Sequence, residues 1–493
     1  MMQNLDYIVL AGYFLTIFLI GAFFARSQKS LKDYFLGSRN IPWWAAAFSG
    51  IATVVSAISY IGGVGLGFST DFSFLQYRLA LPLSVLVIVV VILPFFYNLQ
   101  LYSIYEYLEK RFSLAVRLIG SGIFIIFKCC YLALAIYAPA IIIEMLTGIS
   151  ITWIILATGL ITTLYTLLGG IKSVIWTDSL QLIVLLGGIF VVIGIAAGGV
   201  DNGFAGVIES GRASDKFDYI NTSFNVTERY TIWNGILGGM FLMISQFGTD
   251  QSELQRFLTT DSLKKSVFAI SSSLLVATLL GFVIFFEGAA IFAFYAERGQ
   301  TNIDSNQVFI KFVLEELPVG LRGFLIAGLF AAAMSTISSV LNSLTTVSLS
   351  DFYNRFREQE ATVFLARLTT LSFGVIATIL ACFGGHFGNV LETAMTIINF
   401  FGGCLVGLFL LGMLSKKANT TGALVGFFVG FAGVLALAVV TDIAYMWYSA
   451  INAVLTYSIG LVVSLLLPSR RQPAEIDNNH LVYNWTKIKK VKY

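Results

Sequence analysis

Long runs of apolar residues, separated by short polar segments, make up most of this chain of 493 residues. Thirteen runs are long enough for a helix that crosses a bilayer, which needs about 17–25 residues. The pattern predicts an all-α polytopic membrane protein with about thirteen transmembrane helices. The predicted spans are residues 5–25, 43–67, 74–98, 117–145, 151–169, 174–198, 231–249, 267–295, 320–349, 362–384, 389–414, 419–440 and 445–467.

The composition agrees with this prediction, because 57% of the residues are hydrophobic and only 12% are charged. Soluble globular proteins carry about 25% charged residues, so a soluble fold is excluded. Residues 5–25 are long enough to remain as a spanning helix, and we expect no cleaved signal peptide. The lipid bilayer is therefore the first predicted partner of the chain.

Cysteine and histidine are scarce and scattered. The four cysteines lie within apolar runs, and the two histidines, His386 and His480, are isolated in sequence. We expect no disulfide framework, no metal cluster and no catalytic triad. The chain is predicted not to be an enzyme, and no nucleic-acid partner is expected.

Basic residues are distributed unevenly between the two sides that thirteen spans define. One set of connections carries 22 of the 30 Lys and Arg residues, and the other set carries only six. The positive-inside rule then places the N-terminus outside and the C-terminus in the cytoplasm. The segment 199–230 is the largest predicted outer loop, and 468–493 is a basic cytoplasmic tail. We expect the plasma membrane of a bacterium, its inner membrane, and a chain that functions as a monomer.

Residues 331–348 lie inside an apolar run, yet hydroxyl and amide groups crowd its centre. Hydroxyl oxygens at helical spacing are neutral ligands that suit a small cation or a chain of waters. The alternative is helix packing, since small polar residues let membrane helices approach closely. The residues are Ser335, Thr336, Ser338, Ser339, Asn342 and Ser343.

The span 43–67 combines polar residues at its centre with glycines towards its end, such as Gly62 and Gly63. Its helix propensity is low, so an unwound turn inside the membrane is predicted. Unwinding frees backbone carbonyl oxygens, which are good ligands for a hard cation. A glycine-rich packing helix remains the alternative.

Together, one helix with hydroxyls and one with free carbonyls form an oxygen cage without net charge. Such a cage suits Na⁺ better than Ca²⁺ or Mg²⁺, which usually recruit carboxylates. Asp178, early in the span 174–198, adds one formal charge for a second ion. Arg78, Lys128 and Glu287 also fall within predicted spans, where a charge costs about 2.5–3.5 kcal/mol unless it faces protein or water.

Four segments in this order resemble the sodium/solute symporter family, which includes sodium–glucose, proline, pantothenate, iodide and sialic acid carriers. They are residues 33–44, 169–178 and 248–256 together with the hydroxyl helix, and the resemblance covers about residues 5–467. The family implies a LeuT-type core of two inverted repeats of five helices each. These repeats correspond to 43–198 and 231–414, with 1–42 and 415–467 peripheral.

The resemblance also implies ion sites. By position, the first sodium site takes Ala52, Val55, Ala332, Ser335 and Thr336, where Thr336 stands in place of a common serine. The second sodium site, which only some members have, takes Asp178, Ser335, Ser338 and Ser339. One or two transported Na⁺ ions are therefore expected.

The solute site is expected near the middle of the membrane. Sialic acid carriers resemble the chain at Ser56 and Ser59, but their carboxylate-binding arginine is replaced by Tyr131. We hypothesise that Arg78 or Lys128 binds an anionic solute instead, because arginine pairs with a carboxylate in bidentate fashion. The complete predicted set is Ser56, Ser59, Tyr60, Gly63, Arg78, Lys128, Tyr131, Gln246 and Asn399.

The predicted function is sodium-coupled import of a small polar organic solute by alternating access. An anionic sugar acid such as sialic acid is the expected solute, and a neutral sugar, a short carboxylate or an amino acid is the alternative. Proton coupling through Glu287 or Asp178 also remains open. An ion channel is the alternative from another class, although a channel requires an uninterrupted polar pore.

Overall fold

The computed structural model describes residues 2–25, 30–99, 101–305, 307–357, 360–384 and 390–468. Regular structure in these ranges is entirely helical, as the sequence predicts. The α-helices are α1 (Asn4–Ala25), α2 (Leu31–Leu36), α3 (Trp43–Val54), α4 (Ala57–Ser69), α5 (Leu81–Val87), α6 (Leu93–Leu99), α7 (Glu106–Arg111), α8 (Leu114–Thr147), α9 (Ile151–Gly198), α10 (Phe204–Ala213), α11 (Ile232–Gly248), α12 (Gln251–Phe257), α13 (Leu263–Ala296), α14 (Val308–Glu316), α15 (Leu321–Val347), α16 (Asn354–Arg357), α17 (Val363–Ala381), α18 (Val390–Leu414), α19 (Thr420–Val440) and α20 (Tyr448–Leu466).

Shorter helical turns connect several of these helices. The 3₁₀ turns are Gly37–Arg39, Ser73–Ala80 and Tyr445–Trp447. The π-helical turns are Ile88–Ile92 and Ser348–Tyr353. Because Ser73–Ala80, α5, Ile88–Ile92 and α6 follow one another directly, Ser73–Leu99 forms one apolar span.

Ten helices in the described part of the chain are long and apolar enough to cross a membrane, and the bent pair α3–α4 raises this number to eleven. The prediction of an all-α polytopic membrane protein is therefore confirmed. The basic tail predicted over 468–493 lies outside the described residues apart from Pro468, as does His386.

The hydroxyl-rich helix α15 lies at the centre of the molecule. Of the apolar window within Leu321–Arg357, 94% is buried by protein, compared with 28% for α17 and 28% for α19. Helices α1, α3, α8 and α9 pack around α15. Its hydroxyls consequently face other helices, where polar groups find partners that lipid does not offer.

The predicted break in the span 43–67 is present between α3 and α4, whose axes differ by 59°. Val55 (φ −83°, ψ 68°) leaves the helical conformation, and Ser56 begins α4 as its N-cap. The Ser56 hydroxyl accepts a hydrogen bond from the Ser59 amide at 3.3 Å, which satisfies one free donor at the new helix start. The break lies beside α15, which packs on both halves.

A second break divides α9, which is 48 residues long. Gly170 has φ 55° and ψ −157°, a conformation that only glycine adopts at low cost. A Cβ at this position would also meet the Tyr34 carbonyl oxygen at 2.8 Å. Asp178 lies about two turns beyond this break, where α9 packs against α3 and α15.

Candidate functional site

The broken helix and α15 meet at the residues predicted for the first sodium site. The Ser335 hydroxyl donates to the Ala52 carbonyl oxygen at 2.9 Å and to the Ala332 carbonyl oxygen at 3.2 Å. The Thr336 hydroxyl donates to Ala332 at 3.3 Å, and also to the Thr53 carbonyl oxygen at 3.1 Å. Four of the five predicted residues are thus in mutual contact, while Val55 lies in the break itself.

This arrangement supplies two hydroxyls and several carbonyl oxygens at one point inside the membrane. All of these oxygens carry lone pairs, and none of them carries a formal charge. If Na⁺ were bound here, each hydroxyl would rotate so that its oxygen lone pairs face the ion and its proton points away. Hard monovalent cations prefer such oxygen ligands, so the chemistry of the donor set fits Na⁺ as a transported ion.

Asp178 belongs to the predicted second sodium site and is completely buried. Its Oδ2 atom accepts hydrogen bonds from Ser49 at 2.6 Å and from Ser339 at 3.3 Å. Its Oδ1 atom receives no hydrogen bond from the part of the chain that the structure describes. The Ser338 hydroxyl instead donates to the Ser335 carbonyl oxygen within α15, at 3.1 Å.

The guanidinium of Arg256 reaches the same place from α12, although the predicted site set does not include it. Its Nη1 atom donates to the Ser49 carbonyl oxygen at 2.6 Å and to the Thr53 hydroxyl at 2.7 Å. The same atom lies 3.5 Å from Asp178 Oδ2. The polar run 245–260 indicated that this segment contains functional side chains. It is far from Asp178 in the chain, so the sequence did not predict the contact between Arg256 and Asp178.

A first cavity, which we call the Lys128 cavity, lies between α8, α12 and α15. Lys128 is buried there and forms an ion pair with Asp250, with 2.5 Å between Nζ and Oδ2. The Lys128 ammonium also lies over the ring of Tyr131, 5.3 Å from its centroid. The lining residues are Thr53, Phe127, Lys128, Tyr131, Ser245, Gln246, Asp250, Ser252, Glu253, Thr336, Val340 and Ile398.

Glu253 lines the Lys128 cavity from α12 and was also absent from the predicted set. Burial raises the pKa of this carboxyl to about 7, while the positive charge of Arg256 acts in the opposite direction. Its Oε2 atom accepts no hydrogen bond from any described residue and lies 3.6 Å from Arg256 Nε.

A second cavity, which we call the Arg78 cavity, lies on the other side of the helix break. Val54 and Val55 line it, whereas Thr53 lines the Lys128 cavity. The two cavities therefore take their walls from different residues around the break. The lining residues are Val54, Val55, Ser59, Gly63, Phe74, Leu75, Tyr77, Arg78, Gly281, Ile284, Phe285 and Met395.

Arg78 is held in this cavity by neutral groups. Its Nη1 atom donates to the Ala277 carbonyl oxygen at 2.9 Å, and its guanidinium lies over the Tyr77 ring at 5.0 Å. Gly281 permits this position, since a Cβ there would meet Arg78 Nε at 2.5 Å. Arg78 Nε has no acceptor, and no carboxylate forms a salt bridge with Arg78 within the described ranges.

The other predicted solute residues lie in different surroundings. Ser56 and Ser59 share a hydroxyl–hydroxyl hydrogen bond of 3.0 Å at the helix break. The Tyr60 hydroxyl donates to Glu287 Oε1 at 2.8 Å, which ties α4 to α13. Asn399 donates to the Met395 carbonyl oxygen at 2.9 Å, and its own amide oxygen has no donor.

Comparison with known proteins decides the family. The model of the sodium:solute symporter family matches residues 34–430, which is most of the chain. The chain belongs to the sodium:solute symporter family. The resemblance inferred from the sequence is confirmed, and the protein is a sodium-coupled transporter rather than an enzyme.

Individual relatives cover nearly the whole chain. The sodium/sialic acid symporter NanT of Aliivibrio fischeri is 31% identical over 96% of this chain and 95% of its own length. The human sodium-coupled monocarboxylate transporter 1 is 30% identical over 87% of this chain and 72% of its own length. Among solved structures, a Na⁺-coupled sialic acid symporter in a substrate-bound outward-open state matches with a TM-score of 0.89 and 29% identity, over 95% of this chain and 99% of that one.

Proposed function

We propose that this symporter carries an organic anion together with Na⁺, and that the anion is a sugar acid such as sialic acid. One observation carries the proposal: Arg78 lines a cavity beside the helix break without a carboxylate partner among the described residues. The half-buried guanidinium of Arg78 is held by neutral groups, so a ligand with a negative charge would pair with it favourably. The named substrates of the relatives, sialic acid and monocarboxylates, carry such a charge.

Lys128 is the weaker candidate for the same role. Its ammonium already has a carboxylate partner in Asp250, so a solute would have to compete with a buried ion pair. Tyr131 and Gln246 line the same cavity as Lys128. We infer that the solute first binds in the Arg78 cavity, where Ser59 and Gly63 line the wall, and passes the Lys128 cavity on its way through the protein.

We propose two sodium sites for the same chain. The first takes the carbonyl oxygens of Ala52, Val55 and Ala332 with the hydroxyls of Ser335 and Thr336, and the contacts between α3 and α15 support it. The second takes Asp178 with Ser335, Ser338 and Ser339, and the contact between Asp178 and Ser339 supports it.

Two sodium ions have an energetic advantage for an anionic solute. One Na⁺ that moves through about 100 mV releases about 2.3 kcal/mol, and a tenfold concentration ratio adds about 1.4 kcal/mol. With a singly charged anion, one Na⁺ makes the transported set electrically neutral, so the membrane potential does no work. A second Na⁺ restores the whole contribution of the potential, which supports the second site.

We further infer thirteen membrane crossings and two inverted repeats, 43–198 and 231–414, with peripheral segments 1–42 and 415–467. Helix α9 would be about 72 Å long without its break, more than twice the thickness of the hydrocarbon core. The break at Gly170 therefore favours two spans, and α11 with 17 residues reaches the lower limit for another. The odd count and the basic residues then favour an N-terminus outside and a C-terminus in the cytoplasm.

The transport cycle follows from this geometry. Na⁺ on the carbonyl oxygens of the break holds α3 and α4 in the conformation that lines the Arg78 cavity. The solute carboxylate then pairs with Arg78, and closure of that side opens the path through the Lys128 cavity. Binding energy is thus used to select one state of a two-state carrier.

The test is uptake of labelled sialic acid into proteoliposomes under imposed Na⁺ or H⁺ gradients. We expect saturable accumulation only with the Na⁺ gradient, and its loss in Arg78→Gln. Accumulation under an H⁺ gradient alone would contradict sodium coupling. Passive flux that does not saturate would indicate a channel.

A short carboxylate is the second candidate for the solute. Apart from Arg78, Ser59 and Tyr77, most residues that line the Arg78 cavity are apolar, and a sugar acid has many hydroxyls to satisfy. The two candidates are separated by measuring uptake of each labelled solute (sialic acid, lactate or pyruvate) in competition with the other two unlabelled. Inhibition by the short carboxylates alone would favour the second candidate.

A further inference from the structure

Five buried ionisable side chains surround the Lys128 cavity and the Asp178 site. Three of them are carboxylates and two are cations, and all lie at least nine-tenths inside the protein. Three of the five line the Lys128 cavity, and the other two form the Asp178 site next to it. The five are Asp178, Asp250, Glu253, Lys128 and Arg256.

These side chains do not balance one another in charge. Lys128 and Asp250 form a direct pair at 2.5 Å, which leaves Arg256 alone with two carboxylates. With all five groups ionised the region carries a net charge of −1, and because buried carboxylates without a counter-ion are costly, this charge favours one further monovalent cation.

Arg256 occupies an intermediate position between its two carboxylates. Its Nη1 atom is 3.5 Å from Asp178 Oδ2, and its Nε atom is 3.6 Å from Glu253 Oε2. Among the described residues, Arg256 Nε has no hydrogen-bond acceptor and Glu253 Oε2 has no donor. Both ion pairs are therefore longer than a direct hydrogen bond of 2.7–3.2 Å, and neither carboxylate holds the guanidinium fully.

We propose that Arg256 and Na⁺ are alternative counter-ions of Asp178, and that Glu253 receives the Arg256 guanidinium while Na⁺ is bound. This inference rests on the proposed second sodium site. With Na⁺ bound, all charges are paired: Na⁺ with Asp178, Arg256 with Glu253, and Lys128 with Asp250. When Na⁺ leaves, Arg256 returns to Asp178 and Glu253 is left without a partner.

The surrounding contacts keep the guanidinium of Arg256 between the two carboxylates. The Ser49 carbonyl oxygen, the Thr53 hydroxyl and the Ser252 carbonyl oxygen hold the two terminal nitrogens of Arg256 at 2.6–2.8 Å. The proposed exchange requires the guanidinium to rotate so that one ion pair shortens while the other lengthens. Arg256 is thus a positioning residue that lowers the affinity of Asp178 for Na⁺ and promotes its release towards the Lys128 cavity.

The experiment measures binding of ²²Na⁺ to the purified full-length protein. Asp178→Asn first defines the site, because it should remove one class of bound Na⁺. Glu253→Gln should weaken Na⁺ binding at that site about tenfold, since Arg256 then stays on Asp178. Arg256→Gln should tighten binding, and the double variant should resemble Arg256→Gln, because without Arg256 the charge of Glu253 no longer matters.

Several outcomes overturn the inference. Unchanged Na⁺ affinity in Glu253→Gln, or weakened affinity in a folded Arg256→Gln, excludes alternating counter-ions. If Arg256→Gln does not fold, Glu253→Asp must restore the affinity that Glu253→Gln loses. If Asp178→Asn keeps full Na⁺ binding, the proposed second sodium site itself is wrong. Asp261→Asn, in the exposed pair with Lys265, is the matched control and should bind Na⁺ as the wild type does.

Discussion

The two cavities on either side of the helix break each contain a basic residue, yet the two residues differ in their partners. Arg78 contacts a carbonyl oxygen and an aromatic ring, whereas Lys128 is paired with Asp250. Both residues looked alike in the sequence, as single cations within apolar spans. The comparison teaches that availability for a ligand depends on the neighbouring helices and not on burial alone.

The difference has a physical basis. A buried ion pair neutralises both of its charges, so removal of one partner leaves the other charge unpaired in the low-dielectric interior. An arginine held only by neutral groups keeps its full charge for an incoming anion. We therefore propose that the Arg78 cavity binds the solute and that the Lys128 cavity has a role in structure and ion release.

The largest expected effect concerns Lys128. Lys128→Met leaves Asp250 buried without a counter-ion and should destabilise the protein by about 3–5 kcal/mol. Thermal unfolding of the purified protein measures this loss. Lys128→Met combined with Asp250→Asn should recover much of the stability, and Lys265→Met in an exposed pair should change it little. If Lys128→Met unfolds like the wild type, the ion pair does not stabilise the fold.

Arg78→Ala should instead preserve stability and strongly reduce transport. The loss of a charge-assisted contact to the solute costs about 2–5 kcal/mol, so kcat/KM for sialic acid uptake should fall by about a hundredfold. Arg78→Lys should retain a part of the activity, because lysine keeps the charge but cannot form a bidentate pair. Arg212→Ala, on the exposed helix α10, is the control. Full uptake in Arg78→Ala would assign the anion to another residue.

Ser335→Ala tests the ion site that both cavities border. Loss of one ligand oxygen should raise the half-saturating Na⁺ concentration about tenfold, with a smaller effect on the maximal uptake rate. Ser343→Ala is the matched control, since that buried hydroxyl donates only within α15, to Val340 at 2.8 Å. Equal shifts in both variants would point to a general change in α15 rather than to a sodium ligand.

Gly281→Ala should have the smallest effect in this series. The added Cβ would meet three guanidinium atoms of Arg78 at 2.5–2.7 Å and push the side chain into its cavity. We expect the KM for the solute to rise about fivefold while the Na⁺ dependence stays unchanged. Gly194→Ala, where a Cβ meets no atom within 4 Å, is the control. A shift in Na⁺ dependence instead would contradict a separate role for the Arg78 cavity.

Sequence reasoning worked where the signal is local. The glycines and hydroxyls of the span 43–67 predicted an unwound turn, which the structure places at Val55, and the hydroxyl run predicted a partner helix for it, which is α15. It did not predict the contacts of Arg256 and Glu253. Those contacts join helices that are far apart in the chain, and an isolated sequence does not state which helix faces meet.

The sequence by itself determined the membrane-spanning helices, the broken helix, the hydroxyl-rich helix and the family, because hydropathy, helix propensity and motifs are properties of neighbouring residues. Only the tertiary structure decided that Lys128 is paired while Arg78 has no carboxylate partner in the described chain, and that Arg256 lies between Asp178 and Glu253. Electrostatic partnership falls off steeply with distance, so it is set by helix packing at the scale of a few ångströms.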